Sequence, residues 1–388
     1  MDILITWLRS VAYPTTNIPT LICASKIVFI FKQFPLAINK DKFVVTNSNK
    51  YQSIVSTVVV LLHLGVVLNW LLEQLFSPVN PSPPIWKFVF SYYCITLFGA
   101  CVLFLTQFTL LRVETIRLLN SGIHIEQTIN SKGQNSGNIF YLCFITQCII
   151  SVCILPIIGF AFGLIRPCMP PAVTSLMDQE CKSWDDGGQI GIMFQTCLSI
   201  LMGYIAGQLA ANVAFAVGIV LVYPTVIKLI ILESIARNLN RGWQNGFAYM
   251  GTYRTLQILS SMHNAVLSQP IMPVFVGGVT VCLSFALYIL IAPTSEVPHP
   301  IFLLFSQVAL HMLVTIVGPF KMMAGPLAKS IEILKSLERM NGSSLAKKHV
   351  RSCPPCKMSL GDGTFFDKAT SLVILRKSVD LLIYFLLT

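Results

Sequence analysis

Charge is scarce in this 388-residue sequence: Asp, Glu, Lys and Arg make up 11% of it, against about 25% in an ordinary soluble domain. A chain so poor in charge and 54% hydrophobic cannot cover itself with a water-compatible surface, so the composition is that of an integral membrane protein. Catalytic motifs are missing as well. There is no phosphate-cradling glycine loop, no His-Glu-x-x-His, and no Ser or Cys nucleophile beside an evident base, so the chain is not read as an enzyme. No cofactor or metal is implied. A cleavable signal peptide is also lacking: the early stretch LICASKIVFIFKQF is interrupted by Lys26 and Lys32, and no small-residue cleavage site follows it. That stretch reads as an amphipathic or membrane-skimming helix.

What the sequence does have is long apolar runs. A helix crossing the hydrocarbon core needs about 20 apolar residues. Seven runs qualify, at 53–76, 88–111, 139–165, 190–232, 270–291, 301–325 and 369–388. The expected fold is therefore all-α and polytopic, with 1–52 a cytoplasmic segment and 53–388 a seven-helix domain. The fourth run is 43 residues long, enough for two crossings, but it contains no cluster of turn-forming residues. If it crosses once, the segments on one side of the membrane carry 20 Lys and Arg and those on the other carry 3. Cytoplasmic segments are the basic ones, which puts the N-terminus inside and the C-terminus outside. The fourth run then continues as one helix beyond the bilayer. The net charge of +11 is absorbed by this asymmetry, and no nucleic-acid partner is expected.

The cytoplasmic segments have structure of their own. Residues 250–267 place Met250, Tyr253, Leu256, Leu259, Met262 and Val266 at steps of three and four, and 327–340 repeat the pattern with Leu327, Ile331, Leu334, Leu337 and Met340. Both spacings predict amphipathic helices. Residues 341–362 are polar, basic and rich in helix breakers, and read as a mobile loop. Within them Cys353-Pro-Pro-Cys356 has redox or zinc spacing but no second ligand pair, so neither role is assigned. Cys168 and Cys181 fall in one outer loop, where a disulfide is expected. Pro319 predicts a kink or break in the sixth span. His311 lies inside that span, and helix packing and contact with a bound ligand are both open to it. Aromatic residues in the outer halves of several spans, Tyr92, Tyr93, Phe160, Phe162, Phe194, Tyr204, Phe302 and Phe305, are candidates to line a cavity or to face lipid.

The last run carries Arg376, Lys377 and Asp380. Asp380 lies about 12 Å and Arg376 about 18 Å from the end of the helix, near the middle of a core about 30 Å thick. Each charge facing lipid costs roughly 2.5–3.5 kcal/mol there. Two arrangements avoid that cost: a paired cluster buried between helices, or a face turned to water, which for one helix implies symmetry-related copies around a pore.

The closing stretch GDGTFFDKATSLVILRKSVDLLIYFLLT resembles the C-terminal signature of the insect-type chemoreceptor superfamily, the gustatory and odorant receptors. Its features are Gly363, Phe365 and Phe366 before the helix, Thr370 and Ser371 at its start, and then Arg376, Lys377 and Ser378 ahead of an apolar, aromatic end. The resemblance implies a homo- or hetero-tetrameric, ligand-gated cation channel in the plasma membrane, opened by a small-molecule tastant or odorant. It further implies a pore lined by Val379, Asp380, Ile383, Tyr384 and Leu387, with the ligand among the outer halves of the spans, near Tyr92, Tyr93, Phe160, Phe162, Phe194, Tyr204, Phe305 and His311. The gustatory and odorant branches stay open. A G-protein-coupled receptor or a secondary transporter is the alternative, although no Asp-Arg-Tyr, Asn-Pro-x-x-Tyr or internal repeat is present.

Overall fold

The computed structural model describes residues 15–46, 50–76, 83–131, 137–176, 184, 191–240, 246–267, 270–291, 297–339, 344–361 and 363–387. Helices dominate. In chain order they are α1 (Ile18–Val28), α2 (Lys50–Phe76), α3 (Ile85–Leu110), α4 (Arg112–Ser131), α5 (Ile139–Ile165), α6 (Ile192–Val213), α7 (Tyr223–Asn240), α8 (Gly246–Leu267), α9 (Ile271–Ile291), α10 (His299–Thr315), α11 (Lys321–Arg339), α12 (Ser344–Ser352) and α13 (Thr370–Leu387). A two-stranded antiparallel hairpin, β1 (Leu36–Asn39) with β2 (Lys42–Val45), stands apart from the all-α expectation. Its turn residues Lys40 and Asp41 both have positive φ, the backbone that matches strand twist in a two-residue hairpin.

Six helices among the described residues are long and apolar enough to cross a membrane: Tyr51–Phe76, Ile85–Leu110, Ile139–Ile165, Ile192–Leu239, Ile271–Ile291 and His299–Arg339. The seventh expected span, α13, has 18 residues, about 27 Å of helix; its three charges fall within that single stretch, whereas each of the other six contains an apolar stretch of that length with two charges at most. The fourth run is one continuous helix of 48 residues, about 72 Å long, as expected. The sixth is likewise continuous over 41 residues.

Each of these two long helices changes pitch once. Residues Ala214–Val222, between α6 and α7, and Ile316–Phe320, between α10 and α11, are π-helical. The second contains Pro319, so the expected kink or break is taken up as a change of winding, which accommodates the missing N–H without ending the helix. Near the first, Gln33 reaches in from the N-terminal segment. With its amide turned to satisfy both ends, it donates to the Gln208 carbonyl (3.0 Å) and accepts from the Asn212 N–H (3.0 Å).

The N-terminal segment is integrated into the bundle. α1 buries Leu21, Ile22, Ala24 and Val28, and its amphipathic face is covered by protein. Phe34 packs on Phe215 of the π segment at 4.4 Å between ring centroids, and Phe108 approaches the same ring at 5.2 Å. The hairpin is held by Asn120, whose side chain bonds both the N–H and the carbonyl of Phe43, each at 2.9 Å.

Both expected cytoplasmic helices form, as α8 and α11. The expected mobile loop at 341–362 does not hold for its described residues. After α12 the chain runs as an extended strap whose polar backbone is bonded from both helices: Tyr253 Oη donates to the Pro354 carbonyl (2.9 Å), Cys356 N to Ser330 Oγ (2.9 Å) and Asn264 Nδ2 to the Lys357 carbonyl (3.0 Å). Breaker-rich composition rules out a helix here but leaves backbone groups that neighbouring side chains can satisfy. The strap turns through Gly363, at φ +83°, pairs Ser359 with Phe365, and buries Phe366 against Phe320 (5.6 Å) before α13 begins. The pore-helix candidate is thus tied to the second π segment.

Candidate ligand cavities and pore helix

α5 and α6 are pressed together through glycines. A Cβ on Gly159 would come 2.7 Å from Ala206 Cβ, and one on Gly163 2.6 Å from Ser199 Cα. Away from this seam the bundle opens. Between α3, α5, α6 and α10 lies a cavity of about 140 Å³ lined by Phe90, Tyr93, Phe98, Phe162, Leu209 and Leu304, among others. Beyond it is a second cavity of about 160 Å³, which shares Tyr93, Leu97, Leu155, Leu209 and Leu304 with the first. These five side chains form a waist between two stacked chambers.

The two chambers differ in chemistry. The first has apolar and aromatic walls, with Arg166 at one end. The second carries a neutral polar group of residues: Gln147 and Ser151 on α5, and Gln307, His311 and Thr315 on α10. His311 is their centre. Its Nδ1 lies 2.9 Å from Gln147 Nε2, and its Nε2 lies 3.1 Å from Ser151 Oγ and 2.6 Å from the Gln307 amide. The Ser151 hydroxyl donates to the Gln147 carbonyl oxygen of its own helix (2.9 Å), so toward His311 it accepts. Gln147 and Gln307 both present amide Nε2 to the ring, and a neutral imidazole accepts at one nitrogen only, so the tautomer follows the amide that donates.

Of the eight ligand-site candidates, Tyr93, Phe162 and His311 line these chambers. Phe305 is fully buried behind the wall, 5.0 Å from Tyr93 in edge-to-face contact. Phe160 packs toward Gly203, and Tyr204 meets Phe31 at 6.0 Å. Tyr92 stacks near Phe285 at 6.4 Å, and Phe194 is exposed. Phe302 packs partly buried against the core. Sequence reasoning passed over Gln147, Ser151 and Gln307. The signal was present, since each pair of polar residues four apart inside an apolar run marks one helical face.

Above the first chamber, Trp70, Trp86 and Trp184 cluster, with Trp70 and Trp184 at 4.7 Å and Lys87 Nζ 5.1 Å over the Trp184 ring. Cys168 is disulfide-bonded; Cys181, its expected partner, lies outside the described residues. Neither Cys353 nor Cys356 is in a disulfide, and no group of three or more His, Cys, Asp or Glu with metal-binding geometry occurs among the described residues. Burial raises the Cys353 pKa, which lowers its thiolate fraction at neutral pH.

α13 rests on α9 along one narrow stripe, Ile374, Ser378 and Leu382, with Phe385 stacked on Phe285 at 5.3 Å. The remaining faces are uncovered in the single chain. Val379, Asp380, Ile383, Tyr384 and Leu387 are all exposed, as are Arg376 and Lys377. Arg376 Nε lies 3.9 Å from Asp380 Oδ2, with the side chains 83% and 53% exposed. Within the single chain the cluster is therefore not a buried ion pair. At the base of the helix, Asp367 accepts from the Thr370 hydroxyl (2.6 Å), the Thr370 N–H (2.8 Å) and the Ala369 N–H (3.1 Å). These hydrogen bonds hold its carboxyl below the usual range.

No family model matches the sequence, and no curated protein matches it. Solved structures do. The insect olfactory receptor OR5 from Machilis hrabei in complex with eugenol is similar at a TM-score of 0.64 and 10% identity, over 94% of this chain and 97% of that one. A second structure of the same receptor is similar at a TM-score of 0.59 and 8% identity, over 94% and 96%. Nearly the whole chain thus has the fold of a helical membrane receptor.

Proposed function

We propose that this chain, built on the insect olfactory receptor fold, belongs to the insect-type chemoreceptor superfamily and is one subunit of a chemosensory, ligand-gated cation channel. It is a multi-pass protein of the plasma membrane with its N-terminus inside and its C-terminus outside. Four copies, identical or mixed, bring their α13 helices around a central axis. Val379, Asp380, Ile383, Tyr384 and Leu387 line the path, with Asp380 favouring cations and the apolar positions closing it by dewetting. A disulfide between Cys168 and Cys181 closes the outer loop.

The observation that carries this reading is the exposure of Arg376, Lys377 and Asp380 on a helix otherwise apolar enough to span. A helix with one covered stripe and a charged open face is stable at membrane depth only where that face meets water or another subunit. The two stacked chambers support the receptor half of the reading. Mechanically, a ligand held between α5, α6 and α10 bears on the first π segment through Ala214 and Val217 and on Thr315, which directly precedes the second; the second is joined to α13 through Phe320 and Phe366. The OR5 structure with eugenol is the precedent for a small odorant on this fold.

Expression in a heterologous cell with whole-cell recording tests the proposal, using a panel of volatile and soluble tastants together with epitope tags at each terminus. Ligand-evoked cation current with an intracellular N-terminal tag is the expected result. An extracellular N-terminal tag, or silence across the panel in cells that display the protein, overturns it.

A further inference from the structure

The seam between α5 and α10 is thinly packed. α5 packs on α6, and α10 packs on α9. Among the described residues, the hydrogen bonds that cross from α5 to α10 both end on His311, from Gln147 (2.9 Å) and Ser151 (3.1 Å). Two helices in lipid would ordinarily close such a seam with small apolar residues. This one is closed by a polar clasp.

The clasp lies at the surface of the single chain. Gln147, Ser151 and His311 are half-buried and Gln307 is exposed. Leu303, Gln307 and His311 follow one another at steps of four, so they share a face of α10. Leu303 is 68% exposed and flanks the clasp on its outer side. Behind the clasp is the second chamber, so the same four polar side chains face the chamber on one side and the helix surface on the other.

From this arrangement we infer that the His311 chamber is a ligand site distinct from the outer one, loaded from the bilayer through the α5–α10 seam, and that its occupant is a neutral lipophile with one hydrogen-bonding group. Size, polarity and charge each contribute. An apolar cavity of about 150 Å³ is one that takes a benzene ring, and this chamber is about 160 Å³, so a single ring with a small substituent fits. With their amide nitrogens on His311, Gln147 and Gln307 keep their side-chain carbonyl oxygens for a ligand, and these accept from a hydroxyl. The chamber walls hold no charged side chain, so an ion entering it would go unpaired at a prohibitive desolvation cost. A sugar needs many partners at once, which one clasp cannot supply. The inference rests on the ligand-gated reading and extends it to a second site.

The test uses the full-length protein in nanodiscs and the isosteric probes 4-fluorophenol and 4-fluorotoluene, followed by ¹⁹F NMR. Tighter binding of the phenol by at least tenfold is expected, with His311→Leu removing that advantage and leaving the toluene unchanged. Ser151→Ala is the second variant should His311→Leu fail to fold. Equal binding of the two probes, or a phenol preference indifferent to both variants, overturns the site. In recordings, Leu303→Trp places bulk on the seam without touching the clasp. Onset and washout slowed several-fold at unchanged half-maximal concentration are expected; unchanged rates overturn the bilayer route. The nanodisc measurement needs no conductance, so binding without any evoked current would sink the channel reading alone.

Discussion

The hydroxyl of Ser284 in α9 donates to the backbone carbonyl of Ser378 in α13 at 2.8 Å, and both serines are fully buried. Each also bonds its own helix, Ser284 to the Thr280 carbonyl (2.8 Å) and Ser378 to the Ile374 carbonyl (3.1 Å). Two small residues thus let the backbones approach closely, and this contact sets how α13 is presented to its neighbours. Ser378→Leu would push the helices apart by the width of an isobutyl group. Loss of ligand-evoked current is expected while surface biotinylation still detects the protein. Ser284→Ala deletes one hydrogen bond worth about 1 kcal/mol, for which a shift in half-maximal concentration of less than tenfold is expected.

Asp380 tests the direction in which the open face of α13 points. Against a watery path its charge attracts permeant cations, so Asp380→Asn should lower cation-over-chloride permeability and Asp380→Lys should lower it further, read as shifts of reversal potential in a salt gradient. Reversal potentials identical to the parent would place Asp380 away from the path.

How much of this was legible in the sequence follows from the range of each interaction. The long apolar runs and the amphipathic pattern of 250–267 are local periodicities, and the single crossing of the fourth run follows from summed charge. The inserted Gln33 was invisible, because its partners Gln208 and Asn212 belong to a different helix and their relation is a matter of docking. The π segments have no periodicity of their own to read. The strap at 353–361 was misjudged for the same reason: the donors that hold it, Tyr253 and Asn264, come from α8. In the cavity, Tyr93, Phe162 and His311 stood out as types. Which aromatic residues face inward depended on helix rotations that hydrophobic runs of uniform character do not encode.

Glu126 anchors the N-terminal segment. It is fully buried in α4, accepts from Thr16 Oγ1 (2.8 Å) and from Asn17 through Oε1, and accepts from Tyr223 Oη (2.9 Å) through Oε2. Asn17 in turn accepts from the Asn138 N–H (2.9 Å), and Asn138 caps α5 through the Tyr141 N–H (3.0 Å). Glu126→Ala strands several buried donors at roughly 1–3 kcal/mol each. Strongly reduced surface expression and rapid tryptic cleavage at Lys26 and Lys32 are expected, and Glu126→Gln, which keeps an acceptor, should be milder.

His263 in α8 gives the protein a pH dependence of stability. It is buried and bonds the carbonyl of Val220 in the first π segment at 3.0 Å. Burial, then the charge of nearby Lys228, hold its pKa well below the ordinary 6.5. The folded state therefore keeps the ring neutral while the unfolded chain takes up a proton below pH 6.5, so stability falls as pH drops through that value and is recovered above it. The melting temperature of the detergent-solubilised protein should decline between pH 7.5 and 5.5. His263→Gln, which retains an N–H donor for Val220, should flatten that slope.

α5 and α6 also form a wall of the outer chamber. α5 and α6 touch where Gly159 faces Ala206, Gly163 faces Ser199, and Gly203 faces the Pro156 carbonyl, with added Cβ atoms falling 2.6–2.8 Å from those neighbours. Backbone lies among the atoms met, and it cannot swing aside as a side-chain tip can. Overpacking costs typically 1–3 kcal/mol even where a core can adjust. Gly163→Val should therefore separate the two helices, widen the outer chamber and lower thermal stability by several degrees, read as melting temperature and surface expression. Gly99, with open space around its would-be Cβ, is the control. Gly99→Ala leaves this seam untouched, and a comparable loss there would show that helix composition, not the α5–α6 contact, is what the substitution disturbs.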